Sequence, residues 1–224
     1  FLWKIQWIVA KIIKFRIAIF TIFIILSYLL SANYQDMIGF TLVLSVGLIH
    51  GANDLLIIKK NLKFTSNFSQ FRTFFTYIGV VFIGLIFFYL FPSFALITFI
   101  IVSIYHFGEQ HLEAIPINRS LKKNYRIISI VSHGIILFTI IFMNNIEVVN
   151  NVFLSFNINF LSSNTLNLIL ITTTVVYIFT LVINKYQTSF IFSEILFFVL
   201  FYFLSFSSTL ILCFSVYFIF FHSI

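Results

Sequence analysis

The chain is a succession of long apolar stretches separated by short polar breaks. Stretches long enough to cross a bilayer, which takes ~20 residues each, fall at roughly 16–32, 37–58, 73–91, 93–111, 125–143, 166–183, 189–206 and from 208 onward. In a membrane every backbone polar group must be satisfied within the protein, and helices achieve this locally. The pattern therefore predicts an all-α, polytopic transmembrane helical bundle with about eight spans.

The breaks between these stretches carry their own predictions. Pro92 separates the third stretch from the fourth and predicts a tight turn there, because proline cannot continue a helix. The basic, amphipathic residues before Arg16 predict an interfacial segment that leads into the first span. The segment 147–161 is apolar but interrupted by asparagines, which predicts a loop or an interfacial helix; these are Asn150, Asn151, Asn157 and Asn159.

The composition supports an integral membrane protein. The chain is 61% hydrophobic and 8% charged, with a mean hydropathy of +1.12, which is more apolar surface than a soluble domain of 224 residues can bury. No linker or repeat divides residues 1–224, so we expect a single domain. We interpret the sequence as a fragment truncated at the C-terminus, because it starts at Phe1 and stops at Ile224 within an apolar run. The lone Cys213 offers no disulfide framework.

The basic residues orient the predicted bundle. Every Lys and Arg falls before the first span or between spans two and three, four and five, or six and seven, so all share one end. Asp36 and Glu147 fall at the other end. The positive-inside rule then makes the N-terminus cytoplasmic and the protein a multi-pass protein of the cell (inner) membrane. Topology and contact with anionic membrane lipid account for the net charge of +7, so no nucleic-acid partner is needed.

Four of the five histidines lie inside apolar stretches; they are His50, His106, His133 and His222. Counted along the predicted helices at ~1.5 Å per residue, all four reach a level ~10 Å from the cytoplasmic face. Ionisable side chains are costly inside a bilayer and mark functional sites. Imidazoles at a shared depth therefore predict a buried metal centre, for which Fe(II), Zn or Cu would be suitable ions. His111 is expected nearer the inner interface.

The first motif is the string from His50 to Asp54. The two side chains are four residues apart, so they share one face of a helix. A carboxylate placed there can orient an imidazole or a water beside a metal. Gly47 and Gly51 would let another helix or a ligand approach closely. A glycine pair that packs two helices around a hydrogen-bonded histidine explains this motif equally well.

The second motif runs from His106 to His111. Glu109 and Gln110 lie on the same helix face as His106, whereas His111 is rotated by ~140° from it. Both histidines cannot bind one ion from a regular helix, and we predict that His106 is the ligand. Glu109 then becomes a second candidate for orienting a ligand or water.

Three further residues are weaker candidates. The pair His133-Gly134 repeats the His-Gly pairing of the first motif, and His133 is an additional ligand or a residue that supports one. His222 lies near the end of the last stretch, and Glu194 is an acid within the seventh, where it would pair with a histidine or a water, or equally bond to an Asn or Ser. Each of the three is also explained as a polar residue satisfied by hydrogen bonds inside a bundle.

Taken together, these motifs resemble the Brp/Blh family of bacterial integral-membrane β-carotene 15,15′-dioxygenases. The resemblance rests on His50-Gly51-Ala52-Asn53-Asp54, His106-Phe107-Gly108-Glu109-Gln110 and His222-Ser223, in that order along the chain. It implies non-haem Fe(2+) and cleavage of the central 15,15′ double bond of β-carotene by O₂ into two molecules of retinal. It also implies that the retinal is supplied to a microbial rhodopsin.

The resemblance also assigns residues. It implies that His50, His106 and His222 are iron ligands, together with a further histidine four positions after His222, beyond the end of the sequence. The resemblance does not assign His133 as a ligand, although its estimated depth fits. The family often has Asp at the position of His111, so this chain departs from the pattern there.

Other classes of membrane protein remain as alternatives. A diiron desaturase or hydroxylase would need several clustered histidine motifs, and none is complete in this sequence. A bis-histidine haem protein that carries electrons and a transporter that relays protons through histidines are the other two alternatives.

Overall fold

In the computed structural model the described residues are 2–45, 67–113, 123–184, 186 and 188–222. They form helices joined by short turns, and no strand occurs among them. The helices are α1 (Leu2–Leu29), α2 (32–45), α3 (Asn67–Leu90), α4 (Pro92–Glu113), α5 (Lys123–Asn144), α6 (Ile146–Ser155), α7 (Ser163–Ile183), α8 (Thr188–Ser207) and α9 (Leu210–Tyr217), which continues as a π-helix over Phe218–His222. The predicted all-α bundle is confirmed.

Four of the described helices are long and apolar enough to cross a membrane. They are the segments Pro92–Leu112, Tyr125–Asn144, Ser163–Ile183 and Thr188–Ser207. Their bounds agree with the predicted fourth to seventh spans to within about three residues. Large apolar side chains lie exposed on the outer faces of the bundle, as Tyr89 does with 85% of its surface accessible. Such surfaces suit a lipid environment better than water.

The first two predicted elements need correction or fall partly outside the described residues. The predicted interfacial segment before Arg16 is not separate, because α1 runs without a break from Leu2 to Leu29. Arg16 was counted among the basic residues at the cytoplasmic end, yet its side chain lies buried within the bundle. The predicted second span, 37–58, is helical up to residue 45, and the rest of it lies outside the described residues.

A single side chain, that of Gln35, joins three helix ends. Its Nε2 donates to the carbonyls of Ser27 and Leu30, which belong to the last turn of α1 and the residue after it. Its Oε1 accepts from the backbone N–H of Thr209, just before α9. Helix termini leave backbone groups without partners, and a buried end must find substitutes. Gln35 supplies them and fixes where α1, α2 and α9 meet.

Proline and asparagine mark two further breaks as the sequence indicates. α3 ends at Leu90 and α4 begins at Pro92, so the predicted turn is confirmed. The asparagine-containing segment is the ten-residue helix α6 followed by an irregular stretch. Asn157, which follows it, has a φ of 55°, a left-handed conformation that asparagine tolerates. The side chain of Asn150 binds both the N–H and the C=O of Leu161 and holds that stretch in place.

The core is aromatic and lies where α1, α8 and α9 meet. Phe20, Phe197 and Phe201 are fully buried, and Phe20 packs edge-on against both of the other rings. Tyr217 from α9 packs edge-on against Phe201. α1 and α8 run parallel, because Arg16, midway along α1, contacts Glu194 in the first half of α8, and Ser27 contacts Ser207 near the ends of both helices.

Candidate functional site

The helices α4 and α5 approach each other more closely than side chains normally allow. Gly108 of α4 lies against the backbone of Ile130, and a Cβ at this glycine would lie 2.0 Å from the Ile130 carbonyl oxygen. Gly134 of α5 lies in the same way against Ile104, where a Cβ would lie 1.9 Å from the carbonyl oxygen. Small residues allow such backbone contact between helices in a membrane. Gly108 lies between His106 and His111, and Gly134 directly follows His133, so the contact brings the histidine-bearing parts of α4 and α5 together.

Just beyond this contact lies a buried polar cluster centred on Glu194 of α8. The carboxylate accepts a hydrogen bond from the Arg16 guanidinium at 2.9 Å and one from the Tyr177 hydroxyl at 2.8 Å. The Nε2 of His111 lies 3.1 and 3.0 Å from its two oxygens. All four side chains are buried, with Glu194 only 1% exposed. We call these residues, with His133, the Glu194 cluster; it joins α1, α4, α5, α7 and α8.

Charges balance within this cluster. Arg16 and Glu194 form an ion pair in a region that excludes water, where an unpaired charge would be strongly unfavourable. The second guanidinium nitrogen of Arg16 lies 3.2 Å from His111 Nε2. The same guanidinium also lies over the Phe197 ring, 4.9 Å from its centroid, and donates to the Ser193 hydroxyl. Arg16 is therefore held on several sides.

His133 is the member with the fewest polar contacts. Its ring stacks on that of His111 with centroids 4.0 Å apart, and its Nδ1 lies 3.7 Å from Glu194 Oε2. Neither ring nitrogen has a hydrogen-bond partner, although the residue is fully buried. Burying an imidazole without a hydrogen-bond partner raises the free energy of the folded state, which favours the binding of a water or an ion.

The Glu194 cluster could hold a metal ion. One donor atom each from His111, His133 and Glu194 lies within 4.8 Å of the others. Two imidazoles and a carboxylate are the donor set of many non-haem Fe(II) oxygenases, so the donor chemistry fits iron. In the observed arrangement the two rings are stacked, with an angle of 26° between their planes, and their in-plane lone pairs do not converge on one point. An ion here would require one ring to rotate and would lie close to the Arg16 guanidinium.

An apolar cavity of about 490 Å³ adjoins the cluster. It lies between α5, α7 and α8, and its lining consists mainly of Ile, Leu, Val and aromatic side chains. Tyr177 and Glu194 are among the residues that line it. Cavities of this size and character bind small apolar molecules.

The structure places the residues predicted from the motifs in different environments. His106 lies on the exposed face of α4, next to the ring of Phe107. Glu109, on the same face, accepts a hydrogen bond from the Tyr105 hydroxyl at 3.0 Å. His50 and Asp54 lie outside the described residues. His222 is the last residue of the π-helix that follows α9. The assignment of His50, His106 and His222 as metal ligands stays a prediction.

Sequence reasoning missed most of the Glu194 cluster. His111, expected at the membrane interface, is only 4% exposed. Its ~140° rotation from His106 was expected, but the face that carries His111 is the one turned into the bundle. The pattern of basic residues predicts only a topological role for Arg16, and no motif contains Tyr177. One signal was available: Glu194 is an acid within an apolar stretch and needs a cationic partner at the same depth.

The helices α2, α4 and α9 are neighbours in the bundle. α2 and α9 run in the same direction, because Gln35 contacts Thr209 and Gly39 contacts Ser215. These pairs are 174 and 176 positions apart in the chain. α4 packs against α9, since the centroids of the Phe107 and Tyr217 rings lie 5.4 Å apart. Phe107 follows His106 directly.

Comparisons with known proteins give one match. The family model described as β-carotene 15,15′-dioxygenase matches residues 41–224, which is most of the chain. No curated protein and no solved structure matches it.

Proposed function

Because the chain belongs to the β-carotene 15,15′-dioxygenase family, we propose that it cleaves the central 15,15′ double bond of β-carotene with O₂ and releases two molecules of retinal. The match over residues 41–224 is the observation that carries this proposal. The apolar helices and their exposed hydrophobic faces support it, because a hydrocarbon substrate would reach the protein from the lipid. We further propose a location in the inner membrane and a microbial rhodopsin as the consumer of the retinal.

The proposed cofactor is a non-haem Fe(2+) held by His50, His106 and His222. Neutral imidazoles suit this ion, and when bound it supplies the activation of O₂. The packing of α4 on α9 supports a shared site for His106 and His222. The π-helix that ends at His222 adds support, because single π-helical turns are frequent at functional sites.

Other residues of the chain would support this site. We propose that Asp54 and Glu109 orient a ligand or a water, as carboxylates beside metal-bound imidazoles commonly do. Glu109 is oriented through its hydrogen bond with Tyr105. The apolar surroundings would exclude bulk water from the reaction.

The Glu194 cluster is a rival location for the iron. The short distances among the donor atoms of His111, His133 and Glu194 favour it, whereas the stacked rings and the adjacent Arg16 disfavour it. Replacing His106 or His133 separates the two possibilities. If His50, His106 and His222 hold the iron, His106→Ala loses bound iron and His133→Ala keeps it. If the Glu194 cluster holds the iron, His133→Ala loses it and His106→Ala keeps it.

The activity itself is tested by expressing the gene in a bacterium that accumulates β-carotene. We expect the orange colour to fade and retinal to appear by chromatography, in cells with the wild-type gene but not with His106→Ala or an empty vector. Persistent colour without retinal, in cells that contain the folded protein, would refute the assignment. A Soret band in the purified protein would instead indicate the haem alternative, and full activity without metal would exclude the iron site.

A further inference from the structure

Resting on the proposed function, we propose that His111 and Glu194 are positioning residues for the metal site. They fix the rotation of α4 about its own axis and thereby the direction of His106, which the same helix carries. Neither residue would touch the metal. Their effect would pass through the backbone of α4 over five residues.

The first observation is that His111 is anchored to a carboxylate held by other helices. Its Nε2 lies 3.0 Å from Glu194 Oε2. Glu194 is in turn bound by Arg16 from α1 and Tyr177 from α7, at 2.9 and 2.8 Å. The position of His111 is therefore set by three other helices, and all of these side chains are buried. Such a network is rigid because none of its members can exchange its partner for water.

The second observation is the angle between the two histidines. His106 and His111 point ~140° apart on a regular helix, and the structure shows one exposed and the other buried. Any rotation of α4 that moves His111 out of the cluster turns His106 by the same angle. A side-chain tip lies ~6 Å from the helix axis, so a rotation of ~20° displaces it by ~2 Å. Metal–ligand distances tolerate only about ±0.2 Å, so a small rotation is enough to lose a ligand.

The third observation is that the buried face of α4 carries a second contact besides the polar cluster. Gly108 and Gly134 allow the backbones of α4 and α5 to touch, which fixes the distance between the two helices and limits their rotation at that point. The hydrogen-bonded contact of His111 with Glu194 is directional, so it restrains the rotation of α4 from another side.

The experiment compares variants of His111 and Glu194 with a control of similar burial. His111→Leu removes the contact with Glu194, whereas His111→Gln keeps an N–H donor at about the same reach. Glu194→Gln keeps the shape of the side chain and removes its charge. The control is Ser205→Ala, because Ser205 is fully buried on α8 and bonds to Ile140 of α5.

The readouts are iron affinity and the electron paramagnetic resonance spectrum of the ferrous protein treated with nitric oxide. We expect His111→Leu to lower iron affinity at least about tenfold, as lost supporting contacts do at metal sites, and to alter the spectrum. Glu194→Gln should do so to a smaller extent. His111→Gln should restore wild-type values, and Ser205→Ala should retain them even if stability falls.

Wild-type affinity and spectrum in folded His111→Leu and Glu194→Gln would overturn the inference and leave the proposed function intact. Equal losses in Ser205→Ala would also overturn it, because the effect would then be one of general stability. Absence of iron and retinal from the wild-type protein would remove the proposed function and this inference with it.

Discussion

The two faces of α4 differ in their partners. One face carries Gly108 and His111 and is buried against α5, α8 and α1. The other carries His106, which is exposed, and Glu109, which is half-buried. The buried face holds a charge network in which Arg16 and His111 both bind the Glu194 carboxylate. The exposed face carries His106 and Glu109, which we propose for the metal site. We therefore expect the buried polar groups of this helix to have a structural role, and the residues on the opposite face to bind the metal and support catalysis.

The largest loss of stability should follow from breaking the ion pair on the buried face. Glu194→Leu leaves the guanidinium of Arg16 buried without its counter-charge, and such a change costs about 3–5 kcal/mol. We expect the purified protein to unfold at a much lower denaturant concentration in detergent. The double variant Arg16→Met with Glu194→Leu should recover most of that loss, because apolar pairs often replace buried ion pairs without cost. Additive losses would contradict the pairing.

A smaller loss should follow from adding a methyl group where α4 meets α5. In Gly108→Ala the new Cβ would lie 2.0 Å from the Ile130 carbonyl oxygen, so the two helices must separate. Overpacking of this kind costs about 1–3 kcal/mol. Gly79→Ala on α3 is the matched control, because nothing lies within 4 Å of its Cβ. Thermal denaturation of both variants measures the difference, and equal stability would argue against the close contact.

Removing one hydrogen bond from the cluster should have a modest effect. Tyr177→Phe deletes the hydroxyl that donates to Glu194 and leaves the ring packing unchanged. Arg16 and His111 still bind the carboxylate, so we expect a loss of about 1 kcal/mol. The same unfolding assay measures it. A loss as large as that of Glu194→Leu would show that Arg16 and His111 do not satisfy the carboxylate.

Much of the fold follows from the sequence because the length of an apolar stretch is a strong signal. The bounds of α4, α5, α7 and α8 were predicted to within about three residues, since a bilayer fixes how long such a stretch must be. The Pro92 turn follows from the ring of proline, which fixes φ and removes the N–H donor. The continuity of α1 through Arg16 was missed, because a single sequence does not show that a charge has a buried partner.

The site was harder to predict for the same reason. Spacing along α4 gave the angle between His106 and His111 but not which of the two faces the interior. That depends on Glu194, which is 83 positions further along the chain. The motifs pointed to the family, and the match over residues 41–224 confirms that family. They carried no information about the Glu194 cluster, which arises only when five helices come together.

The smallest effect on stability should come from the exposed face of α4, where the effect on activity should be largest. His106 is exposed, so His106→Ala should change the free energy of unfolding by no more than about 0.5 kcal/mol. Glu109→Gln should do the same, because it keeps an oxygen that can accept from Tyr105. Retinal formation should nevertheless be lost in His106→Ala and reduced in Glu109→Gln. Both quantities can be measured on the same purified samples, by denaturation and by chromatography. Full retinal formation by His106→Ala would contradict this prediction. It would indicate that the metal is bound on the buried face of α4 instead.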